Sequence, residues 1–488
     1  NRGENGMSSP RPNILWICTD QQRFDTLGCA GNSFVQTPHI DRLAQQGVRF
    51  EHAYCQSPIC TPSRASFLTG RYPRTTRCRA NGQMMPADEL LVTKLLHDAG
   101  YTCGLSGKLH IAPCHPSVNH GTEPRIDDGY DEFHWSHHPQ PDWPTNAYHH
   151  WLHERGVVYK TEPFRGSAHV KAGMPAAHHQ TTWCAQMAIN FMEAQAGRAQ
   201  PWLFSVNIFD PHHAFDPPAE YLERYLDKLD TIPLPQYIPG ELADKPQYQQ
   251  MDHAGAYNNA NLHPFAAMTD EEHRLVTAAY WAMIDLIDVQ VGRMMATLER
   301  TGQLENTLVI FMSDHGEMLG DHGIYLKGPY FYEPLIRVPL VVCGPGISQR
   351  GQTSNALVEL MDIAPTLLDA AQQPPQPGIQ GRSLWPLLTG QASLAHHHDD
   401  VYCEYYNAMP WHREPTAQAT MIRTATHKLV VVHSLNTGEL YDLRADPTET
   451  HNLWDKLDHQ QIKTEMLLRL CNRMAWTVDP LPTRQSQW

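Results

Sequence analysis

Apolar residues gather in short unbroken runs: NILWIC (13–18), YTCGLS (101–106), PWLFSVNIF (201–209), TLVIFM (307–312) and RVPLVVC (337–343). Runs that are apolar on both faces predict strands covered by helices on either side of a sheet. Between them the pattern lengthens to a helical period. Thr37 and Pro38 open a helix that stops near Gly47, with cap, first-turn proline and closing glycine in order. Residues 88–99 predict a second helix, ended by Gly100. A long one starts at Thr269, which forms a capping box with Glu272, and ends at Gly302. Strands alternating with helices predict an α/β class: a large, mostly parallel or mixed sheet sandwiched by helices.

Two stretches break this rhythm. Residues 110–175 are rich in His, Pro and Trp with little periodicity, which predicts long ordered loops over the sheet's edge. After QQPPQPG (372–378), the segments VYCEYY, ATMIRTATHKLVVVHS and GELYDLRADPTETHNLW read as antiparallel strands, and 458–476 as a closing helix. The expected division is therefore a tag remnant and tail over 1–10, an α/β domain over 11–375, and a small antiparallel-sheet subdomain over 376–488.

The chain has 488 residues, 41% hydrophobic and 18% charged, enough for one large core. Its formal charge is −15 and no basic stripe is visible, which argues against nucleic acid as a partner. No apolar run approaches the roughly 20 residues that span a bilayer. No charged-then-apolar leader precedes the first strand. Eleven cysteines, odd in number and irregularly spaced, suit a reducing compartment, so the expected location is cytoplasmic, with a trimmed leader as the alternative.

Ligand sites in open α/β sheets lie beyond the carboxyl ends of the strands. The first predicted strand is followed by Asp20 and Gln21, the second by GKLH with Lys108 and His110. After 201–209 comes DPHHAFDPP with His212 and His213, and after 307–312 comes SDHGEMLGDHG with Asp314 and His315. Singly, each is as readily a cap, turn or surface residue; together they put acids, imidazoles and a lysine on one edge. Asp20, Gln21, Asp314 and His315 suit a hard or borderline divalent cation such as calcium, magnesium or manganese. Lys108, Lys327 and Arg64 are cations that could surround a tetrahedral oxyanion, which points to a monoanionic or dianionic ester as substrate.

Cys60 stands apart from the other thiols. Pro62 and Gly70 bracket TPSRASFLT as a helix with Cys60 at its mouth, where free N–H groups favour an anion and acidify a thiol. Cys18, Cys103 and Cys343 fall inside strands and read as core filling.

CTPSRASFLTGRYP, from Cys60, resembles the C-x-P-x-R signature of the type I sulfatases, within the alkaline phosphatase superfamily. NILWICTDQQRFDTLGCAGN, GKLH, DPHHAFDPP, SDHGEMLGDHGIYLKG and GELYDLRADPTETHNL match further segments of that family in order, from about 13 to 455. The resemblance implies that Cys60 becomes 3-oxoalanine (formylglycine), whose hydrate is the nucleophile, and that a formylglycine-generating enzyme matures it. It implies one divalent ion, Ca2+ first and Mn2+ or Mg2+ next, held by Asp20, Asp314, His315 and residue 60. Gln21 stands where many members have a second Asp, and Asp314–His315 is similar to the choline sulfatase-like and phosphonate monoester hydrolase-like branch.

The resemblance further implies that Arg64 holds the nucleophile while Lys108 and Lys327 hold sulfate oxygens. His212 would protonate the leaving alcohol, with His213 as its neighbour, and His110 would take the proton whose loss expels sulfate. Asn81, in RCRANGQMM, is by analogy a substrate contact or else a turn residue. The expected function is hydrolysis of a carbohydrate, aryl or alkyl sulfate monoester. The alternatives are a phosphonate monoester or phosphodiester hydrolase with the same site, and a silent sulfated-glycan binder. Aromatic-bearing segments such as DEFHWSHHPQPDWP and YYNAMPWHREP are expected to line the pocket or to form contacts in a homo-oligomer.

Overall fold

A computed structural model of the chain describes residues 11–486, so the tail expected over 1–10 lies outside the described residues. In chain order its first strands are β1 (Asn13–Thr19), β2 (Gly47–Tyr54), β3 (Thr102–Gly107), β4 (Glu132–Trp135) and the two-residue β5 (Glu162–Pro163) and β6 (Lys171–Ala172). There follow β7 (Trp202–Ile208), β8 (Thr307–Ser313), β9 (Arg337–Val338), β10 (Leu340–Cys343) and β11 (Gln352–Glu359). Nine of these make one sheet in the order β11-β2-β10-β8-β1-β7-β3-β4, with β9 beside the end of β2; β5 and β6 pair only with each other.

The central strands β8, β1, β7, β3 and β4 are mutually parallel, whereas β10 runs antiparallel to both β8 and β2. Every residue of β1, β7 and β8 is buried, which is why their apolar runs are unbroken. Ile14, Trp16 and Cys18 enter the core on one face, Leu15 and Ile17 the core on the other. RVPLVVC is two strands rather than one: Pro339 has no N–H for the ladder, and the run divides there. β2 escapes the search for apolar runs because Arg49, Glu51 and His52 interrupt it.

The helices deviate from expectation in two places. The one expected over 88–99 spans only Val92–Asp98. Leu91 is extended, and Asp88 and Glu89 are drawn off into ion pairs with Arg77 and Arg71. The helix Pro38–Gln46 is not capped by Thr37, whose hydroxyl accepts from the Gly28 N–H; Asp288 accepts from the N–H groups of His39 and Ile40 instead. Asp288 belongs to the long helix Asp270–Arg300, which has the expected Thr269–Glu272 capping box. Among the described residues this is the one helix long and apolar enough to cross a membrane, and it is mostly buried inside the fold.

At the carboxyl side, β12 (Asp400–Tyr406), β13 (Gln418–Thr424), β14 (His427–Val432) and β15 (Thr437–Asp442) form an antiparallel meander covered by the helix Gln460–Trp476. Lys428 of β14 ties this sheet to the chain that follows β8. Its ammonium bonds Glu333 at 2.9 Å, Glu449 at 2.5 Å and the Phe331 carbonyl at 2.8 Å.

Candidate active site

Strand register builds the floor of the site. Thr19 of β1 pairs with Ser313 of β8, so the next residues, Asp20 and Asp314, emerge side by side. The Asp314 N–H donates back to the Thr19 carbonyl at 3.1 Å. On the other side Gly107 of β3 pairs with Asn207 of β7, and the Lys108 N–H donates to the Asn207 carbonyl at 3.1 Å. Gly107 sits at φ +97°, and a Cβ there would lie 1.9 Å from that carbonyl oxygen, so only glycine lets the two strand ends close up.

The fully buried helix Cys60–Thr69 points its first residue at this floor and ends at Gly70 in the left-handed conformation. Asn81 caps it from outside: its Oδ1 accepts from the Thr61 N–H at 3.0 Å.

Asp20, Cys60, Asp314 and His315 bring four donor atoms within 4.8 Å of one another, all buried. The His315 Nδ1 donates to the Gly316 carbonyl at 2.9 Å, which leaves Nε2 facing Cys60 Sγ at 3.2 Å. The Gln21 amide nitrogen donates to Glu317, and its Oε1 is buried with no hydrogen-bond partner. Two buried carboxylates, an imidazole and residue 60 so close together fit a divalent cation, and the orphaned oxygen of Gln21, the residue after Asp20, is a further neutral donor of the right chemistry.

Cations dominate the field here. Burial alone would raise the pKa of Asp20, but Lys108, His212, Arg64 and Lys327 outweigh it and hold the carboxyl well below its ordinary range. Burial and Asp20 also oppose a thiolate at Cys60; Lys108, Lys327 and His315 prevail and bring the thiol from 9.0 down to about 7. Burial pushes the Cys18 thiol the other way, far above its ordinary value. Position 60 is thus arranged to carry negative charge.

Lys108 bonds Asp20 and also borders the cavity above it. Lys327 Nζ lies 2.9 Å from Cys60 Sγ and 3.1 Å from His212 Nε2. His212 Nδ1 bonds the His213 carbonyl, so its Nε2 accepts from Lys327 in this state. Burial, then Lys327 and His213, depresses the His212 pKa; burial, then Lys108 and Arg64, does the same to His110. Both imidazoles are therefore neutral near pH 7.

Arg64 departs from expectation. It does not border the cavity as a cation for an oxyanion: Nε bonds Asp314 at 2.9 Å, Nη2 bonds Asp20 at 3.3 Å and Nη1 the Lys108 carbonyl at 2.7 Å. Its guanidinium thus contacts both acids beneath the cavity. His110 faces the cavity, but among the described residues no hydrogen bond joins it to Cys60. Two acids escape sequence reasoning. Glu317 anchors Gln21 and the N–H groups of Leu319 and Leu326; its only signal is its place inside SDHGEMLGDHG. Glu123, in the aperiodic middle, accepts from the N–H groups of His110 and Ile111 and so fixes that loop.

The cavity above position 60 has a volume of about 570 Å³. Its rim carries Trp143, Phe209, Tyr257 and Trp411, and among the described residues no carboxylate lines it. Trp411, 44% exposed, stacks on Tyr257 at 4.4 Å.

A cluster of hard donors at the ends of parallel strands, ringed by buried cations and opening into one cavity, defines a hydrolase of anionic esters. The chain belongs to the sulfatase family, whose model matches residues 12–373; residues 320–475 also match the model described as N-sulphoglucosamine sulphohydrolase, C-terminal. It is an enzyme that hydrolyses sulfuric ester bonds, and its family lies within the alkaline phosphatase superfamily.

Among its relatives is a choline-sulfatase of Rhizobium meliloti (strain 1021), 31% identical, with 92% of this chain and 83% of the relative covered. An N-acetylglucosamine-6-O-sulfatase of Bacteroides thetaiotaomicron is 28% identical over 94% of this chain and 85% of its own. The solved phosphonate monoester hydrolase SpPMH of Silicibacter pomeroyi superposes with a TM-score of 0.82 at 26% identity, covering 96% of each chain.

Proposed function

We propose that the enzyme cleaves the sulfate monoester of a sugar or aromatic alcohol, with residue 60 in its formylglycine form. One divalent cation, Ca2+ foremost, would be held by Asp20, Gln21, Asp314, His315 and residue 60. The observation that carries this reading is the buried position 60, charged toward the anion by two lysines and an imidazole, at the floor of a cavity with aromatic walls. When present, the aldehyde hydrate supplies a nucleophilic oxygen plus a second hydroxyl for releasing sulfate, and the cation offsets their charge.

This chain's residues do the rest. Lys108 and Lys327 bind sulfate oxygens and oppose the charge that builds as the ester bond breaks. Arg64 keeps Asp20 and Asp314 in register beneath them. His212 gives the departing alcohol its proton. In the resting state its Nε2 accepts from Lys327, so it must first gain that proton as the anionic ester binds. His110, neutral in its buried setting, accepts the proton whose loss releases sulfate. Trp411 and Tyr257 offer a stacked face to the ring of the alcohol.

The test is peptide mass spectrometry of the fragment containing Cys60, paired with an aryl sulfate assay on the same sample. Activity should follow the fraction of residue 60 that has exchanged sulfur for oxygen, and Cys60→Ala should abolish it. An active sample with unmodified Cys60 would overturn the proposal. Turnover of phosphonates or phosphodiesters but of no sulfate ester would overturn the substrate class.

A further inference from the structure

One wall of the cavity carries a second set of donors. His110, Cys114 and His137 bring two imidazole nitrogens and a thiol within 4.8 Å of one another. Cys114 Sγ lies 3.3 Å from His137 Nδ1, and the rings of His110 and His137 meet edge to face at 4.4 Å. In a tetrahedral zinc site with bonds of about 2.0–2.3 Å, neighbouring ligand atoms stand roughly 3.3–3.8 Å apart. The Cys114–His137 distance already has that spacing, and the donor atoms of the whole cluster stay within 4.8 Å.

An independent observation points the same way. His110 Nδ1 is buried without a hydrogen-bond partner, although His110 is only 6% exposed. Buried ring nitrogens usually find a partner; His52, His213, His263 and His412 also leave Nδ1 unpaired, but His110 alone among these five belongs to a cluster of metal-binding donors. This one is held in place with one nitrogen unused: Glu123 grips the N–H groups of residues 110 and 111 and the Trp135 indole, and φ of His110 is 57°, in the left-handed region. Strain of this kind persists only where the surroundings over-determine it.

The chemistry of the two clusters differs. The floor offers mainly oxygen, which suits a hard cation; the wall offers two nitrogens and a sulfur with no carboxylate among them. We propose that His110, Cys114 and His137 form a binding site for a thiophilic divalent cation of the Zn2+ type, with its fourth position open to the cavity. Binding replaces the Cys114 S–H bond by a sulfur–metal bond and releases that proton to solvent. Occupancy takes His110 out of proton transfer, so the ion is a reversible inhibitor. That consequence rests on the role proposed for His110 above; the binding does not.

Cobalt(II) serves as a spectroscopic stand-in for zinc. The full-length Cys60→Ala chain, which has no thiol at the floor, is saturated with Ca2+ and given one equivalent of Co2+. The expected result is a thiolate-to-cobalt charge-transfer band that Zn2+ abolishes. The band should be missing from a Cys60→Ala/Cys114→Ala chain of unchanged circular dichroism. No band, or an equal band without Cys114, overturns the site. In matured enzyme, with each variant referred to its own uninhibited rate, Cys114→Ala should weaken Zn2+ inhibition at least about 10-fold. A cobalt band without zinc inhibition keeps the site and overturns the role given to His110.

Discussion

Arg64 and Lys108 both reach Asp20, but only the lysine also borders the cavity; partners, not residue type, separate a binding group from a positioning one. Glu317 shows the same logic one layer out. Glu317→Gln keeps an acceptor for Leu319 and Leu326 but loosens the grip on Gln21. Metal affinity measured by chelator competition should fall about 10–100-fold with little change in fold; unchanged affinity would remove Gln21 from the ligand set. His212→Ala should lower turnover of alkyl sulfates by about 10²–10⁴ and of activated aryl sulfates far less, because a good leaving group departs without a proton. Equal losses would count against its role as acid. The residues of the floor were legible because they follow buried strands directly. Arg64's orientation, the cap by Asn81 and the anchors Glu123 and Glu317 were not, because each depends on a contact between separate segments that no local pattern encodes.

At the scale of elements, runs apolar on both faces identified β1, β3, β7 and β8, the strands that carry the site. Strands with one wetter face, such as β2, gave no comparable signal. The close join of β3 and β7 makes Gly107 decisive. Gly107→Ala should lower stability by at least about 1–2 kcal/mol from the left-handed backbone alone, and activity more steeply than stability, because Lys108 is the next residue.

A second element has a pH signature. His398 donates to Asp362 at 2.9 Å beside the sheet. Burial disfavours charge on His398, yet Asp362 prevails and its pKa is raised; burial likewise opposes charge on Asp362, and His398 and His397 prevail and lower it. The pair's contribution is complete between the ordinary values of 3.8 and 6.5. It fades above that window as His398 loses its proton and below it as Asp362 gains one. The melting-temperature gap between wild type and His398→Gln should therefore be widest between pH 3.8 and 6.5 and shrink as the pH rises past the raised His398 value. A gap independent of pH would refute the ion pair.

For the molecule as a whole, the small sheet is keyed to the catalytic sheet by Lys428. Removing it would leave Glu333 and Glu449 buried without their shared ammonium. Lys428→Ala should cost about 3–5 kcal/mol, read by denaturant titration. It should also disturb Lys327, because Phe331, whose carbonyl Lys428 holds, lies four residues on. The join of Thr19 to Ser313 has a larger consequence. Residues 294 apart in the chain must become neighbours before Asp20 and Asp314 can share an ion. Closing a loop of that length costs more chain entropy than any local contact, and neither side of the seam alone holds both carboxylates. Catalysis is thus a late and all-or-none reporter of folding: split between β1 and β8, the polypeptide yields two pieces that are each inert, and activity returns only when both halves anneal along that single seam.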